Sequence, residues 1–249
     1  MHADYIRAGA SVVIANTFST DRLRLGDAGL GDRVEEVNRK AVQAALEARR
    51  MTERPDVVVA GSLSRAAASV VGGGSRGVGR AALLDVYTEQ AGILADAGVD
   101  LIALEMMSAL EHAEPAFEAA RSTGLPIWLG LSADHQDGRL NGWQSPDQPF
   151  DDLVAAFSSA EVDAMLVMHT DVDAVDEALE SVFRHWDVPV GVYPHVGTFE
   201  PPNWRFDETF TPDALVANAQ RWVERGVRIV GGCCGLGPAY IRALSAEFG

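Results

Sequence analysis

Short runs of β-branched and other apolar residues alternate along the chain with longer stretches in which apolar residues recur every three or four positions. The short runs predict seven strands: Ser11–Asn16, Asp56–Gly61, Leu101–Glu105, Ile127–Leu131, Ala164–Met168, Pro189–Tyr193 and Arg228–Gly232. The longer stretches predict amphipathic helices: Arg33–Arg50, Leu83–Ala97, Leu110–Ser122, Phe150–Ala160, Val172–His185 and Pro212–Arg225. This alternation is typical of βαβ units and therefore of a parallel sheet.

Glycines mark the ends of several predicted helices, as in Ala97-Gly98, Thr123-Gly124 and Arg225-Gly226, and each leads directly into the next strand. The opening segment Met1–Gly9 has the same form and reads as the end of another helix, which a further strand would normally precede. We therefore predict an α/β fold, a (β/α)8 TIM-type barrel whose first βα unit is missing or incomplete in this chain. Residues 1–249 are expected to form a single domain.

The composition narrows the class of protein. The chain has 249 residues, of which 47% are hydrophobic, and it can bury one substantial core. Its net charge of −16 repels nucleic acid and anionic membranes, so neither is expected as a partner. The sequence contains no run of about 20 apolar residues and no signal-peptide pattern at its start, which favours a cytoplasmic protein with small-molecule ligands. A homo-oligomer is compatible with these features.

The least regular stretch is Ala66–Arg80, which is rich in Gly, Ser and Ala. It contains Gly72-Gly73-Gly74-Ser75-Arg76-Gly77, which formally fits the dinucleotide-binding pattern G-x-G-x-x-G. That pattern binds a cofactor when its glycines follow a strand immediately, whereas about ten residues intervene here. A loop is therefore the better interpretation of this segment.

Polar side chains gather where the predicted strands end. In barrels of parallel strands the chemistry lies at these carboxyl ends. The residues are Asn16, Thr17, Ser62, Ser64, Glu105, Ser132, Asp134, His135, His169, Thr170, Tyr193, His195, Cys233 and Cys234. Trp204 lies in a long loop, where it could stack on a cationic ligand, while Trp143, Trp186 and Trp222 are expected to pack in the core.

The segment Gly231-Gly232-Cys233-Cys234-Gly235 is the most informative of these. Adjacent cysteines rarely form a disulfide, so the only two cysteines of the chain are expected to be free thiols. Neighbouring side chains on a regular strand point to opposite faces, and two cysteines in sequence can share a metal only where the strand gives way to a turn. The flanking glycines permit such a turn. The alternative is a pair of small buried residues that close the barrel.

Several motifs together resemble the homocysteine S-methyltransferases. They are Met1–Ala10 followed by Asn16-Thr17-Phe18, then Leu104-Glu105, Tyr193-Pro194 with Gly197, and the terminal Gly-Gly-Cys-Cys-Gly. In that family three cysteines bind zinc, and the homocysteine thiol takes the fourth position. The resemblance implies that Cys233 and Cys234 are metal ligands, that Glu105 lies near the amino group of the substrate, and that Asn16 and Thr17 line the pocket, with Tyr193 and His195 also facing the substrate.

The sequence departs from the family at three places. His169 stands where the family has its first zinc cysteine, and histidine is a competent zinc ligand. His195 replaces a family asparagine. Together with His135 and His169, it could bring three histidines to the same end of the barrel. The family's first strand, with its Asp-Gly motif, is absent here. The natural protein could be longer, another chain could cover the gap, or homocysteine could no longer be bound.

These features predict a zinc-dependent S-methyltransferase that acts on homocysteine or a related small thiol. The methyl donor is left open among S-methylmethionine, S-adenosylmethionine, betaine and a folate. One alternative is a catalytically impaired barrel that binds a ligand or a partner. Another is a metal-dependent hydrolase that uses His135, His169 and His195, for which Cys233→Ser would spare activity.

Overall fold

All seven predicted strands are present in the computed structural model, which describes residues 1–65, 77–200 and 203–249. They are β1 (Val12–Ile14), β2 (Val58–Ser64), β3 (Leu101–Met107), β4 (Ile127–Leu131), β5 (Ala164–Asp171), β6 (Val190–His195) and β7 (Val227–Val230). They form one sheet in chain order, and every neighbouring pair is parallel. Within the described residues, β1 and β7 are the two edges of the curled sheet. The prediction of a TIM-type α/β fold is confirmed.

Helices connect successive strands and cover the outside of the sheet. They are α1 (His2–Arg7), α2 (Arg22–Asp27), α3 (Val34–Met51), α4 (Arg80–Ala97), α5 (Leu110–Arg121), α6 (Phe150–Ala156), α7 (Val175–His185), α8 (Pro212–Glu224) and α9 (Pro238–Phe248). Short 3-10 turns at Gly31–Arg33 and Val172–Ala174 precede α3 and α7. Glycine ends α4 as predicted, since Gly98 has a φ of +91° and accepts the left-handed conformation without strain.

The inner strands β2 to β6 are buried on both faces, which explains why they read as continuous apolar runs rather than alternating ones. On the outer face, Val59 and Leu63 of β2 pack in the large core with the helices. On the inner face, Ala60, Leu101 and Ala103 form a second, smaller cluster. Gly61 lets α4 approach closely, because a Cβ at that position would lie 3.1 Å from Leu94 and 3.3 Å from Val99.

Two small antiparallel insertions follow strand ends and were not predicted. The first, which we call the meander, consists of Ala133–Gln136, Arg139–Gly142 and Ser145–Pro149. The second, which we call the hairpin, pairs Thr198–Glu200 with Asn203–Arg205. Both are short and polar, and neither shows the apolar alternation that signals a half-buried strand. Helices α2 and α9 were likewise not predicted.

The glycine-rich pattern at 72–77 lies outside the described residues except for its last glycine. In the described part of the chain, none of the helices combines the length and the apolar character that crossing a membrane requires.

Candidate metal centre and substrate cavity

The two cysteines lie where β7 gives way to a turn, as the flanking glycines predicted. The backbone there is held to β6, since Gly231 donates to Val192 at 2.9 Å and Cys233 donates to Pro194 at 2.8 Å. Gly235 has a φ of +84°, and a Cβ on it would lie 2.8 Å from Val196 Cγ2. The turn places the two sulfurs 3.8 Å apart, on the same side of the chain.

His169 reaches this pair from the end of β5. The register between β5 and β6 shifts after Met168, and His169 has a φ of +46°, which non-glycine residues seldom adopt. This conformation costs about 1–2 kcal/mol. Its ring Nδ1 lies 3.4 Å from Sγ of Cys233 and 3.7 Å from Sγ of Cys234. Strain at a strand end is therefore used to aim the imidazole at the two sulfurs.

The two thiols have opposite electrostatic characters. The hydrogen bond from Cys233, followed by the interaction with His169, lowers the pKa of Cys234 to about 5. The same hydrogen bond, together with burial, raises the pKa of Cys233 well above its ordinary value. The hydrogen bond between the two sulfurs therefore favours the thiolate at Cys234 and the thiol at Cys233.

The donor set fits a soft divalent cation. Nδ1 of His169 and the two sulfurs all lie within 4.8 Å of one another, and they form the one group of three or more candidate metal ligands found in the described residues. Two sulfurs and one imidazole nitrogen suit zinc, and three protein ligands leave a coordination position for a substrate atom. The carboxylates near the cavity lie outside this group.

Glu105 occupies the inner face of the sheet beside the cluster. It accepts hydrogen bonds from Oγ of Ser62 at 2.5 Å and from Oη of Tyr193 at 3.3 Å, so both of its oxygens have a donor. Burial raises its pKa, and the two hydrogen bonds oppose that effect. Gly130 leaves room for this contact, because a Cβ there would lie 2.6 Å from the Leu104 carbonyl and 3.1 Å from Tyr193 Oη.

A cavity of about 250 Å³ connects the cysteine cluster with Glu105. The described residues that line it are Phe18, Arg24, Arg65, Glu105, Met106, Trp143, Gln144, Met168, His169, Phe199, Trp204, Cys233 and Cys234. Trp143 from the meander and Trp204 from the hairpin meet the His169 ring edge to face, at centroid distances of 5.1 Å and 5.3 Å. The cavity is thus largely apolar, with a few convergent polar groups, as is usual for small-molecule sites.

Cys233, Cys234, Glu105 and His169 all line this cavity, and so does Trp204, whereas Asn16, Thr17, Tyr193 and His195 do not. Asn16 is exposed. Thr17 is buried, and its hydroxyl donates to the Ser62 carbonyl at 2.9 Å and accepts from the Ser62 amide at 3.0 Å. Tyr193 lies outside the cavity lining, and its Oη donates to Glu105. These positions make Thr17 and Tyr193 supports for the residues at the cavity wall.

The three histidines predicted at strand ends do not share one site. His195 is buried behind His169, with a ring centroid distance of 4.7 Å, and burial together with His169 lowers its pKa to about 4. His135 lies on the surface and pairs with Glu177 at 2.9 Å. The group that a hydrolase based on three histidines would need is therefore not assembled in the described residues.

Sequence reasoning missed several cavity residues. Trp143 lines the cavity, although core packing was expected for it, and Phe199 does so from the hairpin. Arg24 and Arg65 were not singled out, yet both are largely buried against the cavity. A usable signal was present, because Arg65 directly follows the polar end of an otherwise apolar strand.

These features define a class: a parallel α/β barrel-type enzyme with sulfur and imidazole donors at the carboxyl ends of its strands. The sequence profile of the homocysteine S-methyltransferases matches residues 1–248. The chain therefore belongs to the homocysteine S-methyltransferase family, and it is a methyltransferase.

Comparison with individual proteins is consistent with membership of this family. Homocysteine S-methyltransferase 4 of Zea mays is 28% identical over 98% of this chain and 77% of its own length. Methionine synthase of Mycobacterium tuberculosis is 27% identical over 99% of this chain but 21% of its own length. The metallated crystal form of the homocysteine methyltransferase MmuM from Escherichia coli is 24% identical, with a TM-score of 0.81 over 99% of this chain and 82% of that one. The last similarity concerns the fold.

Proposed function

We propose that this protein transfers a methyl group to the thiol of homocysteine or a related small thiol, with zinc held by Cys233, Cys234 and His169. The observation that carries the proposal is the convergence of two sulfurs and one imidazole nitrogen, all within 4.8 Å, at the wall of a substrate-sized cavity. Family membership supports the reaction, and the donor chemistry supports the metal.

The three ligands have distinct tasks. Zinc bound there would lower the pKa of the substrate thiol, so that a thiolate exists at neutral pH. Cys234 already favours the thiolate, and Cys233 would give up its proton when a cation binds. His169 adds a neutral donor, so the site is about one unit less negative than a three-cysteine site. A bound substrate sulfur is therefore held more tightly and is less strongly nucleophilic.

The remaining residues position the acceptor. Glu105 offers a carboxylate to an amino group, and its hydrogen bonds to Ser62 and Tyr193 fix its orientation. Trp143, Phe199 and Trp204 give the cavity aromatic walls, which disfavour water beside the acceptor. In the reaction the acceptor sulfur forms a bond to the methyl carbon, while the bond from that carbon to the positive sulfur or nitrogen of the donor breaks and its electron pair leaves with the donor.

The test combines metal content with methyl transfer. The purified protein should contain about one zinc per chain, and it should methylate homocysteine with at least one onium donor. Cys233→Ser should abolish both. The matched control is His135→Ala, which alters another strand-end residue that lies outside the cluster, and which should preserve both. Full activity in Cys233→Ser, or a protein that neither takes up zinc nor transfers a methyl group, would contradict the proposal.

A further inference from the structure

Two arginines line the cavity beside the cysteine cluster, and the proposed chemistry uses neither. Arg65 is only 6% exposed, and Arg24 is largely buried next to it. They are directly linked, because Nη2 of Arg24 donates to the Arg65 carbonyl at 2.5 Å. Guanidinium groups keep their charge even when buried, so this wall of the cavity is cationic in a protein whose net charge is −16.

Arg24 is the member of the pair with a nearby counter-charge, although its Nε, like Asp21 Oδ2, makes no hydrogen bond in the described part of the chain. Its Nη1 donates to the Phe18 carbonyl at 2.8 Å and to Ser64 Oγ at 3.0 Å, and its Nε lies 3.6 Å from the carboxylate of Asp21. Asp21 is itself buried and caps helix α2. One carboxylate therefore accompanies the first of the two guanidinium groups, and Arg24 is held in place by backbone and side-chain contacts.

Arg65 is the member without a counter-charge. Its Nη1 donates to Ser108 Oγ at 2.7 Å and to the Trp143 carbonyl at 3.3 Å, but its Nε is buried without a hydrogen-bond partner in the part of the chain that the structure describes. No carboxylate of the described residues lies within 4.0 Å of it. The stretches 66–76 and 201–202 contain no Asp or Glu in the sequence. Burial lowers the pKa of Arg65, Arg24 lowers it further, and Tyr87 and Glu111 oppose these effects.

A buried, uncompensated guanidinium is unfavourable until an anion reaches it. The two guanidinium groups and Asp21 together leave a single positive charge, which matches a monoanion rather than a phosphate of higher charge. A carboxylate is planar and accepts two parallel N–H bonds from one guanidinium. Arg65 and Glu105 also line the same small cavity, and a guanidinium together with a carboxyl group is complementary to the zwitterion of an α-amino acid.

We propose that Arg65, held in place by Arg24, is a subsite for the carboxylate of an amino-acid ligand in this cavity. The proposal rests on the proposed function in one respect, since the acceptor homocysteine and the donor S-methylmethionine are both amino acids and either could supply the carboxylate. The subsite selects ligands that keep a free carboxylate, and it discriminates against amines and esters of the same length.

The test measures the affinity of ligands with and without a carboxylate for the wild-type protein and for Arg65 variants. Affinities are measured by isothermal titration calorimetry on the protein as purified. Homocysteine is compared with 3-aminopropane-1-thiol, which lacks only the carboxylate, and S-methylmethionine with its decarboxylated analogue. In the wild-type protein, loss of the carboxylate should weaken binding about 10- to 100-fold for one of the pairs. In Arg65→Gln the same loss should change affinity little. The pair that shows this coupling identifies the source of the carboxylate.

Arg80→Gln is the matched control, because Arg80 is exposed and paired with Glu118, and it should behave as wild type. Arg65→Lys keeps the charge but not the paired donors and should retain part of the preference. The proposal is overturned if the wild-type protein binds acids and decarboxylated analogues equally, if the carboxylate contributes as much in Arg65→Gln as in wild type, or if neither amino acid binds. The cycle measures binding alone. Coupling between the carboxylate and Arg65 in a protein that transfers no methyl group would overturn the proposed function and leave the subsite. Methyl transfer in a protein without this coupling would overturn the subsite and leave the proposed function.

Discussion

Nδ1 of His169 lies 3.7 Å from Sγ of Cys234, although 65 positions of sequence separate the two residues. The strained backbone at the end of β5 and the glycine turn after β7 together produce this contact. It is the feature that makes histidine a replacement for a third sulfur in the proposed zinc site.

Removal of His169 should therefore weaken zinc binding more than it weakens the fold. His169→Ala is expected to lower zinc affinity by about 100-fold, because one of three protein ligands is lost. His169→Cys should retain tight binding, since it supplies a third thiolate. His185→Ala, a histidine of α7 that pairs with Asp151, is the control. Competition with a chromophoric chelator measures all four proteins, and equal affinities throughout would remove His169 from the ligand set.

The chain has only two cysteines, so thiol chemistry reports on the site alone. In chelator-treated protein, iodoacetamide should modify Cys234 before Cys233. The thiolate is the reactive form, and the pKa of Cys234 is lowered to about 5, so the rate should persist at neutral pH and fall only as the pH approaches that value. Tandem mass spectrometry assigns the modified residue. Equal modification of both thiols, with a rate that rises only toward pH 9, would contradict the asymmetry.

The close packing of β3, β5 and β6 around β4 depends on Gly130. Gly130→Ala would place a Cβ 2.6 Å from the Leu104 carbonyl and 2.9 Å from Met168 Cγ. Because a backbone atom cannot move cheaply, we expect a loss of about 1–3 kcal/mol in the free energy of unfolding and reduced methyl transfer. Gly92→Ala is the control, since a Cβ within α4 would meet nothing within 4 Å. It should stabilise the protein by about 0.5–1 kcal/mol. Denaturant unfolding measures both, and equal effects would argue against a packing role for Gly130.

His112 gives the fold a defined pH dependence. Burial, with Arg65 as a smaller cause, lowers its pKa from 6.5 to about 4. The unfolded chain takes up this proton near pH 6.5 and the folded protein only near pH 4, so the free energy of unfolding falls as the pH is lowered through that window. The loss amounts to at most about 3 kcal/mol.

His112→Gln should remove that slope between pH 4 and 6.5, whatever its effect on stability at neutral pH. Urea unfolding at several pH values tests this, with His185→Gln as the surface control. A variant whose pH dependence matches that of the wild type would show that His112 is not the responsible group.

The sheet could be predicted from sequence because each of its strands is a run of apolar residues that follows an amphipathic helix, and glycines lie between several of these helices and the next strand. The insertions could not, since the meander and the hairpin are too short and polar to show a period. The turn that carries the cysteines could be predicted from its flanking glycines. The positions of Thr17 and His195 could not be predicted. A residue at a strand end can point into the cavity or into the side chains packed around it, and its direction depends on bulges such as the one after Met168.

Except for Phe18, the aromatic residues that line the cavity come from the meander and the hairpin, while the sulfurs, the imidazole and Glu105 come from the barrel strands and the turns that end them. Replacement of either insertion would exchange the surface that a ligand meets and leave the reacting atoms where they are. Chemistry and choice of ligand can therefore diverge independently in this lineage, and close relatives with the same cluster need not share a methyl donor.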